Sequence, residues 1–403
     1  NNSELGSNGI VGGDYYFTYG SVLFMMLNTQ DTNVAEHKQF IEQAVEANKD
    51  CKWRIVTLHQ DIYGSAEHSN EPEITNLRYQ LTPYFEENDV DMVLTGHDHA
   101  YSRSKMLLGG KQTTEYTDDE FDAQLDKDMD TQGDETTLTV APGNIKDDTT
   151  DPEERAYLDY LNSIMDADAV EQVKKEGDAV INPKGILYMT ASSSSGSKYY
   201  DLVPRMQSYI AGRWQEDVPT YSLINVSEDT LSISTYRTDN NEKIDEAFSI
   251  AKVNTDKTQL QSMVDSAKQN EVVAKNAYTT ASYQLFEKAL AGAQTVLADP
   301  DATNSEVQAA ILALTNTKAA LVKKANVNEA VVTTIAEAVY TGKNITPAVT
   351  VKIKNAVLKN GTDYTVSYSD NKDTGKAVAT VTGIGQYAGT KSVTFNIVPA
   401  KVK

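Results

Sequence analysis

The chain contains five histidines, and four of them, His59, His68, His97 and His99, fall in one short stretch. Neutral imidazole is the commonest protein metal ligand, and it also moves protons near neutral pH. Such a concentration therefore points to metal binding or proton transfer. The tightest arrangement is Gly96-His97-Asp98-His99. A glycine lets the chain turn off a strand, and two histidines on the stiff loop that follows can point into one cleft. Taken alone, the tetrapeptide reads equally well as a surface turn with a chance His-x-His. Asp98 either supports a neighbouring imidazole or faces solvent. His37 stands beside Glu36 and Lys38 in an expected helix and reads as a solvated surface residue. Arg103 reads as structural. The serines from Ser192 to Ser195 read as a flexible loop near the cleft, since no His-Asp pairing is visible that would make one a nucleophile. The acidic run Asp126–Asp130 reads as solvated, with weak calcium binding as the alternative.

These side chains need elements to position them. Residues 1–250 alternate between strand-sized apolar runs and helical stripes, which predicts an α/β region. Tyr15 to Leu27 reads as two strands about a Gly20-Ser21 turn, and 33–48 as a helix with Phe40, Ile41 and Val45 on one side. Ile55-Val56-Thr57-Leu58 is a short buried strand ending at His59, and 74–87 a second helix. Met92-Val93-Leu94 is a strand ending at Gly96-His97. Strands that each deliver a histidine at the C-terminal end suit a site on an α/β sheet. Residues 109–183 are acidic and lack apolar periodicity until about Glu153, so they read as an insertion decorating the region. From 185 to 250 the pattern returns to β.

The flanks of the histidine motif carry a resemblance. Val90-Asp91-Met92-Val93-Leu94-Thr95 precedes it and Ala100-Tyr101-Ser102-Arg103-Ser104 follows, while upstream His59 is followed by Ile62-Tyr63-Gly64 and His68. This stretch resembles the calcineurin-like metallophosphoesterases, and within them the purple acid phosphatases. The strand pair at 15–29 and the segments Gly185-Ile186-Leu187-Tyr188 and Ser195–Tyr200 resemble the same family, so the likeness covers 1–108 and 185–250. It implies a metal-dependent phosphomonoesterase, acid phosphatase-like, acting on a phosphate ester through two metal ions (Fe, Zn or Mn) that activate water. Carried over, His59 and His97 would ligate one metal and His99 the other, and His68 would be a catalytic group beside the phosphate or leaving oxygen. The family's Asp-x-His, bridging Gly-Asp and Gly-Asn-His motifs are absent, and Gln60-Asp61 stands where a residue and a proline are usual. Three imidazoles do not build a dinuclear centre. With Asn1 first and no visible signal peptide or anchor, the chain is expected to be the C-terminal part of such a catalytic domain.

At about 253 the period becomes helical. Leu260, Met263, Val264 and Ala267 form one stripe, Phe286, Leu290, Ala293 and Leu297 a second, and Val307, Ile311, Leu314 and Leu321 a third. Thr303 with Glu306 is a capping box. Tyr278 to Leu321 resembles the FIVAR modules of Gram-positive surface proteins. From 327 the period is 2, punctuated by glycines, and Tyr340-Thr341-Gly342-Lys343, Gly361-Thr362-Asp363-Tyr364 and Gly385–Thr390 resemble bacterial Ig-like surface repeats. The expected organisation is an incomplete metallophosphoesterase α/β domain over 1–252, with the insertion at 109–183. An all-α three-helix bundle follows over 253–325, and an all-β Ig-like sandwich over 326–403.

Net charge is −22, which excludes nucleic acid as a partner, because phosphate backbones select basic surfaces. No apolar run approaches the roughly 18 residues of a transmembrane segment. Cys51 is the single cysteine, so there is no intrachain disulfide and the compartment is left open. The modules imply an extracellular or cell-surface location in a Gram-positive bacterium, with cell-wall polysaccharide as a partner. The alternative function is a wall-associated binding protein whose phosphoesterase domain is inactive or incomplete.

Overall fold

The computed structural model describes residues 13–129, 140–196, 198–269 and 275–401; Asp130 of the acidic run and Ser197 of the serine-rich loop lie outside them. The chain divides after Val253 into two compact units. In the first, every apolar run becomes a strand and every stripe a helix. Its elements are β1 (Tyr15–Tyr19), β2 (Val22–Met26), α1 (Val34–Ala47), β3 (Trp53–Thr57), α2 (Pro72–Glu87), β4 (Met92–Thr95), β5 (Tyr101–Leu107), α3 (Asp118–Met129) and α4 (Pro152–Ser163). They continue with β6 (Lys174–Glu176), β7 (Ala179–Ile181), β8 (Ile186–Ala191), β9 (Ile210–Trp214), β10 (Thr220–Val226), β11 (Thr230–Arg237) and β12 (Phe248–Ala251).

Two sheets result. One has seven strands in the order β1-β2-β3-β4-β8-β5-β9, with β2, β3, β4 and β8 parallel; the other has five in the order β10-β11-β12-β7-β6. Alternation along the parallel strands sends side chains to two different cores. Leu23, Met25, Val56 and Val93 face Phe40, Ile41, Leu81 and Phe85 of α1 and α2. Val22, Ile55, Met92 and Leu187 face Val180, Leu231, Ile233 and Ile250 of the second sheet. The 185–250 strands thus make most of the second sheet, while β8 and β9 join the first. The outer strands β1 and β10 are open edges, and Tyr15, Phe17, Tyr19 and Leu223 on them are exposed.

The insertion is more ordered than its sequence suggests. Its first helix, α3, buries only Phe121, Gln124, Leu125 and Asp128, a helical stripe half made of polar residues and therefore weak as an apolar signal. With Tyr157, Leu158, Tyr160 and Ile164 it forms a small core against Tyr79 of α2.

The second unit holds two cores. Three helices, α5 (Thr258–Gln269), α6 (Thr280–Ala298) and α7 (Asn304–Ala319), bury Leu260, Val264, Phe286, Leu290, Val307 and Leu314. The Thr303–Glu306 capping box is present. Beyond them a four-stranded and a three-stranded sheet surround Val351, Tyr364, Ala379, Phe395 and Ile397. Among the described residues no helix is long and apolar enough to cross a membrane.

One expectation is overturned. His37 is not solvated: its ring is fully buried, with Nδ1 2.7 Å from Asp14 Oδ2 and Nε2 2.8 Å from the Asp31 carbonyl oxygen. Burial alone would lower its pKa, but the carboxylate and carbonyl partners outweigh that, so it is raised above the usual imidazole value. The sequence hides this because Asp14 lies on the segment before β1, far from the helix that carries His37. Replacing His37 with Ala strands the buried Asp14 carboxylate. In urea titrations this should cost about 3 kcal/mol or more, whereas Tyr19→Ala at an exposed edge should stay within about 0.5 kcal/mol.

Candidate active site

The parallel strands bring the histidines together. β3 ends just before His59 and β4 just before Gly96-His97, and the Gly96 N–H donates to the His59 carbonyl at 3.1 Å, tying the two strand-end turns. His97 itself has φ +66°, a left-handed conformation that costs a non-glycine residue about 1–2 kcal/mol. The turn aims its ring back over the sheet. His97 Nδ1 then lies 3.1 Å from His59 Nε2, with ring centroids 5.0 Å apart. His68 meets the other side of His97 at 4.9 Å between centroids. His99 points elsewhere along the cleft. Its Nδ1 is 2.8 Å from the Lys198 carbonyl oxygen, and its ring meets Tyr200, which also touches His68. So His59, His97 and His68 touch in series, and His99 joins them through Tyr200.

Below the rings is a buried acidic network. Asp98 is fully buried and accepts from the His68 backbone N–H, from His68 Nδ1 at 2.7 Å and from Ser69 Oγ at 2.8 Å. Asp61 is also buried, with Thr190 and Thr95 hydroxyls on one oxygen and Ser69 Oγ 3.1 Å from the other. The Ser69 hydroxyl also accepts the Ala66 N–H. It has one proton to give, so it can donate to only one of the two carboxyls. Burial, and then the nearby Asp98 charge, push Asp61 up to about 8. Near neutral pH Asp61 is therefore the acid that donates to Ser69, and Ser69 donates to Asp98. Gly64 is required here, because a Cβ would overlap the Asp61 carboxyl.

The imidazoles respond in opposite directions. The hydrogen bond that His68 gives to Asp98 holds His68 above the usual imidazole value, while burial, aided by the other histidines, holds His97 below it. Facing His68, Glu71 lies 3.9 Å from Nε2, and burial pushes it up to about 7. The shifts thus favour a proton on His68 and disfavour one on His97. Asp61, Ser69, Thr95, Thr190 and Glu71 were not singled out from sequence. Of these only Asp61 left a trace, as the residue standing where the resembling family has proline.

The donor set can be tested against the expected metals. The 3.1 Å between His59 and His97 nitrogens is close to the separation of two ligands on one tetrahedral ion, about 3.4 Å. No carboxylate joins them: Asp98 and Asp61 are turned away and committed to His68, Ser69 and the two threonines. Among the described residues no group of three His, Cys, Asp or Glu side chains is arranged to hold an ion. The residues present therefore do not fit a pair of metal ions.

Residues 1–101 match the family model described as Calcineurin-like phosphoesterase. An uncharacterized protein of Mycobacterium tuberculosis is 27% identical over 128 residues, covering 28% of this chain and 24% of its own length. Purple acid phosphatase 19 of Arabidopsis thaliana is 37% identical over 71 residues, covering 17% of this chain and 18% of its own. A purple acid phosphatase structure from yellow lupin seeds (Lupinus luteus) aligns over 59% of this chain and 32% of its own, at 12% identity and a TM-score of 0.37. The chain spans less than a quarter of the length of these curated relatives.

The buried acid gives a stability signature. Asp61 has a folded pKa raised well above the unfolded carboxyl value near 3.9. Its contribution is thus complete below about pH 4 and is lost as pH rises towards about 8. Asp61→Asn imitates the neutral acid and does not titrate. In thermal melts its advantage over the parent should grow from pH 5 to pH 8 by about 3 °C or more; a pH-independent difference would contradict the protonated assignment.

Proposed function

We propose that the unit ending at Val253 is part of a metal-dependent phosphoric ester hydrolase, a phosphomonoesterase of acid phosphatase type. The observation that carries this reading is the contact series His59–His97–His68 at the C-terminal ends of β3 and β4, in sequence that matches the calcineurin-like phosphoesterases. His59, His97 and His99 are the proposed nitrogen ligands of two metal ions (Fe, Zn or Mn), which would supply Lewis acidity and a hydroxide nucleophile. The oxygen ligands such a pair needs are placed by this proposal on polypeptide outside the present sequence. The open edges β1 and β10, with Tyr15, Phe17, Tyr19 and Leu223 uncovered, favour a further layer packing there.

This chain's own residues do the remaining work. His68, with Nδ1 anchored on Asp98 and its pKa raised by that bond, is suited to hold a phosphoryl oxygen or to give a proton to the leaving oxygen. Tyr200 and the Lys198 carbonyl fix the His99 ring, and the Gln215 amide donates to the His99 and Tyr200 carbonyls at 2.8 and 2.9 Å.

A second reading is a wall-associated binding protein with an incomplete phosphoesterase domain, favoured by the missing carboxylates around His59 and His97. In either reading the FIVAR-like and Ig-like modules are proposed to sit at a Gram-positive cell surface and to contact wall polysaccharide.

Turnover of p-nitrophenyl phosphate with added zinc, manganese or iron separates the readings. The 403-residue chain should be at least about a hundredfold slower than a chain extended by upstream coding sequence, since removing a metal site removes both nucleophile and charge stabilisation. In the extended chain His97→Ala and His99→Ala should abolish turnover. Full activity in both variants would refute the metal-site reading, and no turnover by the extended chain itself would leave the binding protein.

A further inference from the structure

Residues 60–71, which carry Asp61 and His68, form neither strand nor sustained helix, yet most of them are buried. Local turns and a bridge to Leu202–Val203 satisfy the carbonyls of Gln60, Ser65, Ala66 and His68, but those of Ile62, Gly64, Ser69 and Asn70 need side-chain donors. The guanidinium of Arg78, on α2, is itself fully buried and meets part of that need. Its Nε donates to the Ile62 carbonyl. One Nη reaches the Ser69 carbonyl at 3.1 Å and the Tyr209 hydroxyl at 3.3 Å. The other reaches the Ile164 carbonyl at 3.3 Å and the Tyr79 hydroxyl at 3.4 Å. All five guanidinium protons are thus used. Tyr63, Tyr209 and Tyr79 also lie against the cation, at 4.5, 5.2 and 5.5 Å from their ring centroids.

The counter-charge comes from the insertion. Asp166 Oδ2 is 3.7 Å from the guanidinium and accepts the Tyr63 and Tyr79 hydroxyls at 3.1 and 2.9 Å. Two further bonds brace the same loop: Tyr209 donates to the Gly64 carbonyl and Tyr160 of the insertion to the Asn70 carbonyl. Arg78 therefore grips the loop at Ile62 and again at Ser69, immediately beside His68, and binds the insertion with its remaining arm.

We infer that Arg78 is a positioning residue for His68, and that the 109–183 insertion is a working part of the site because Ile164 and Asp166 complete the Arg78 cage. The inference rests on the reading of His68 as a group of the phosphoester site, but its structural content does not depend on turnover. Arg78 acts through Ser69: with the Ser69 carbonyl fixed on the guanidinium and its hydroxyl on Asp98, the His68 backbone N–H and Nδ1 both meet the same carboxylate.

The test uses Arg78→Met, Arg78→Lys and Asp166→Asn in the 403-residue chain, without any phosphatase assay. Amide hydrogen exchange is read at residues 62–70 and, as the control, in β3 and β4. Histidine-selective 15N NMR reads the His68 Nδ1–H held by Asp98. For Arg78→Met, exchange at 62–70 should rise by about tenfold or more while β3 and β4 change little, and the Nδ1–H signal should be lost. Lys, with three donors at a point and no fork, should restore the signal only in part. Asp166→Asn should speed exchange at Lys111, whose N–H it holds, and at 62–70 together. A rise shared equally by β3 and β4 would mean a merely structural role, and an unchanged His68 signal would mean no coupling; either overturns the inference. If Arg78→Met does not fold, Arg78→Lys and Asp166→Asn are judged by the same criteria.

Discussion

A buried stretch of irregular backbone must find side-chain partners for the polar groups that turns and bridges leave over, and residues 60–71 are such a stretch. The site depends on how that requirement is met. Leaving a buried carbonyl or amide unpaired costs about 1–3 kcal/mol, so the groups left over need side-chain pairing. Asp98, Arg78, Tyr160 and Tyr209 supply it to the backbone, and Gln207 ties the Ser65 and Asn70 side chains. The same bonds that satisfy the loop remove its freedom. His68 is consequently presented on an irregular segment with the rigidity of a strand, which suits a group that must meet a reacting atom within a fraction of an ångström.

The parallel sheet contributes the other half of the geometry. β2, β3, β4 and β8 run in the same direction, so their C-terminal turns open on one side. His59 and His97 emerge from adjacent strands there. Sheet spacing of about 4.8 Å brings their rings close without any long reach, and the left-handed turn at His97 completes the approach. The two faces of the sheet are covered unequally. Helices α1 and α2 close one face, whereas the second sheet stops at β10 and leaves the inner-facing aromatics of β1 uncovered.

Much of this was legible in the sequence, and the pattern of what was not has a physical cause. Strands β2 to β4 and helices α1 and α2 follow from apolar spacing, because the strands are short apolar runs buried on both faces and the helices bury one regular stripe. The approach of His59 to His97 follows from their strand-end positions. By contrast, α3 escaped notice because two of its four buried positions are Gln124 and Asp128. His37 was misread because helical context says nothing of a carboxylate arriving from another segment. Asp61 and Ser69 on one loop, Thr95 on β4 and Thr190 on β8 come from three places in the chain, and their meaning lies wholly in the contact. Arg78 carries no signal of its own in the sequence; the three tyrosines and three carbonyls around it make it an interior cation. Periodicity reports burial against a layer. It does not report polar pairing between segments distant in sequence.

The network also explains how two imidazoles in contact are shifted in opposite directions. Four histidines in one cleft would repel one another if all were charged, and burial would then drive them all neutral. The carboxyl of Asp98 under the cluster breaks that symmetry. It bonds directly to His68 and so favours its charged form, while His97, packed edge-on beyond it, is governed first by burial. Were Asp61 also ionised, two buried carboxylates would share Ser69, with one hydroxyl proton between them. Keeping Asp61 protonated supplies the missing hydrogen. Proton binding is thus favoured at His68 and disfavoured at its neighbour His97, so the two rings in contact are suited to different tasks.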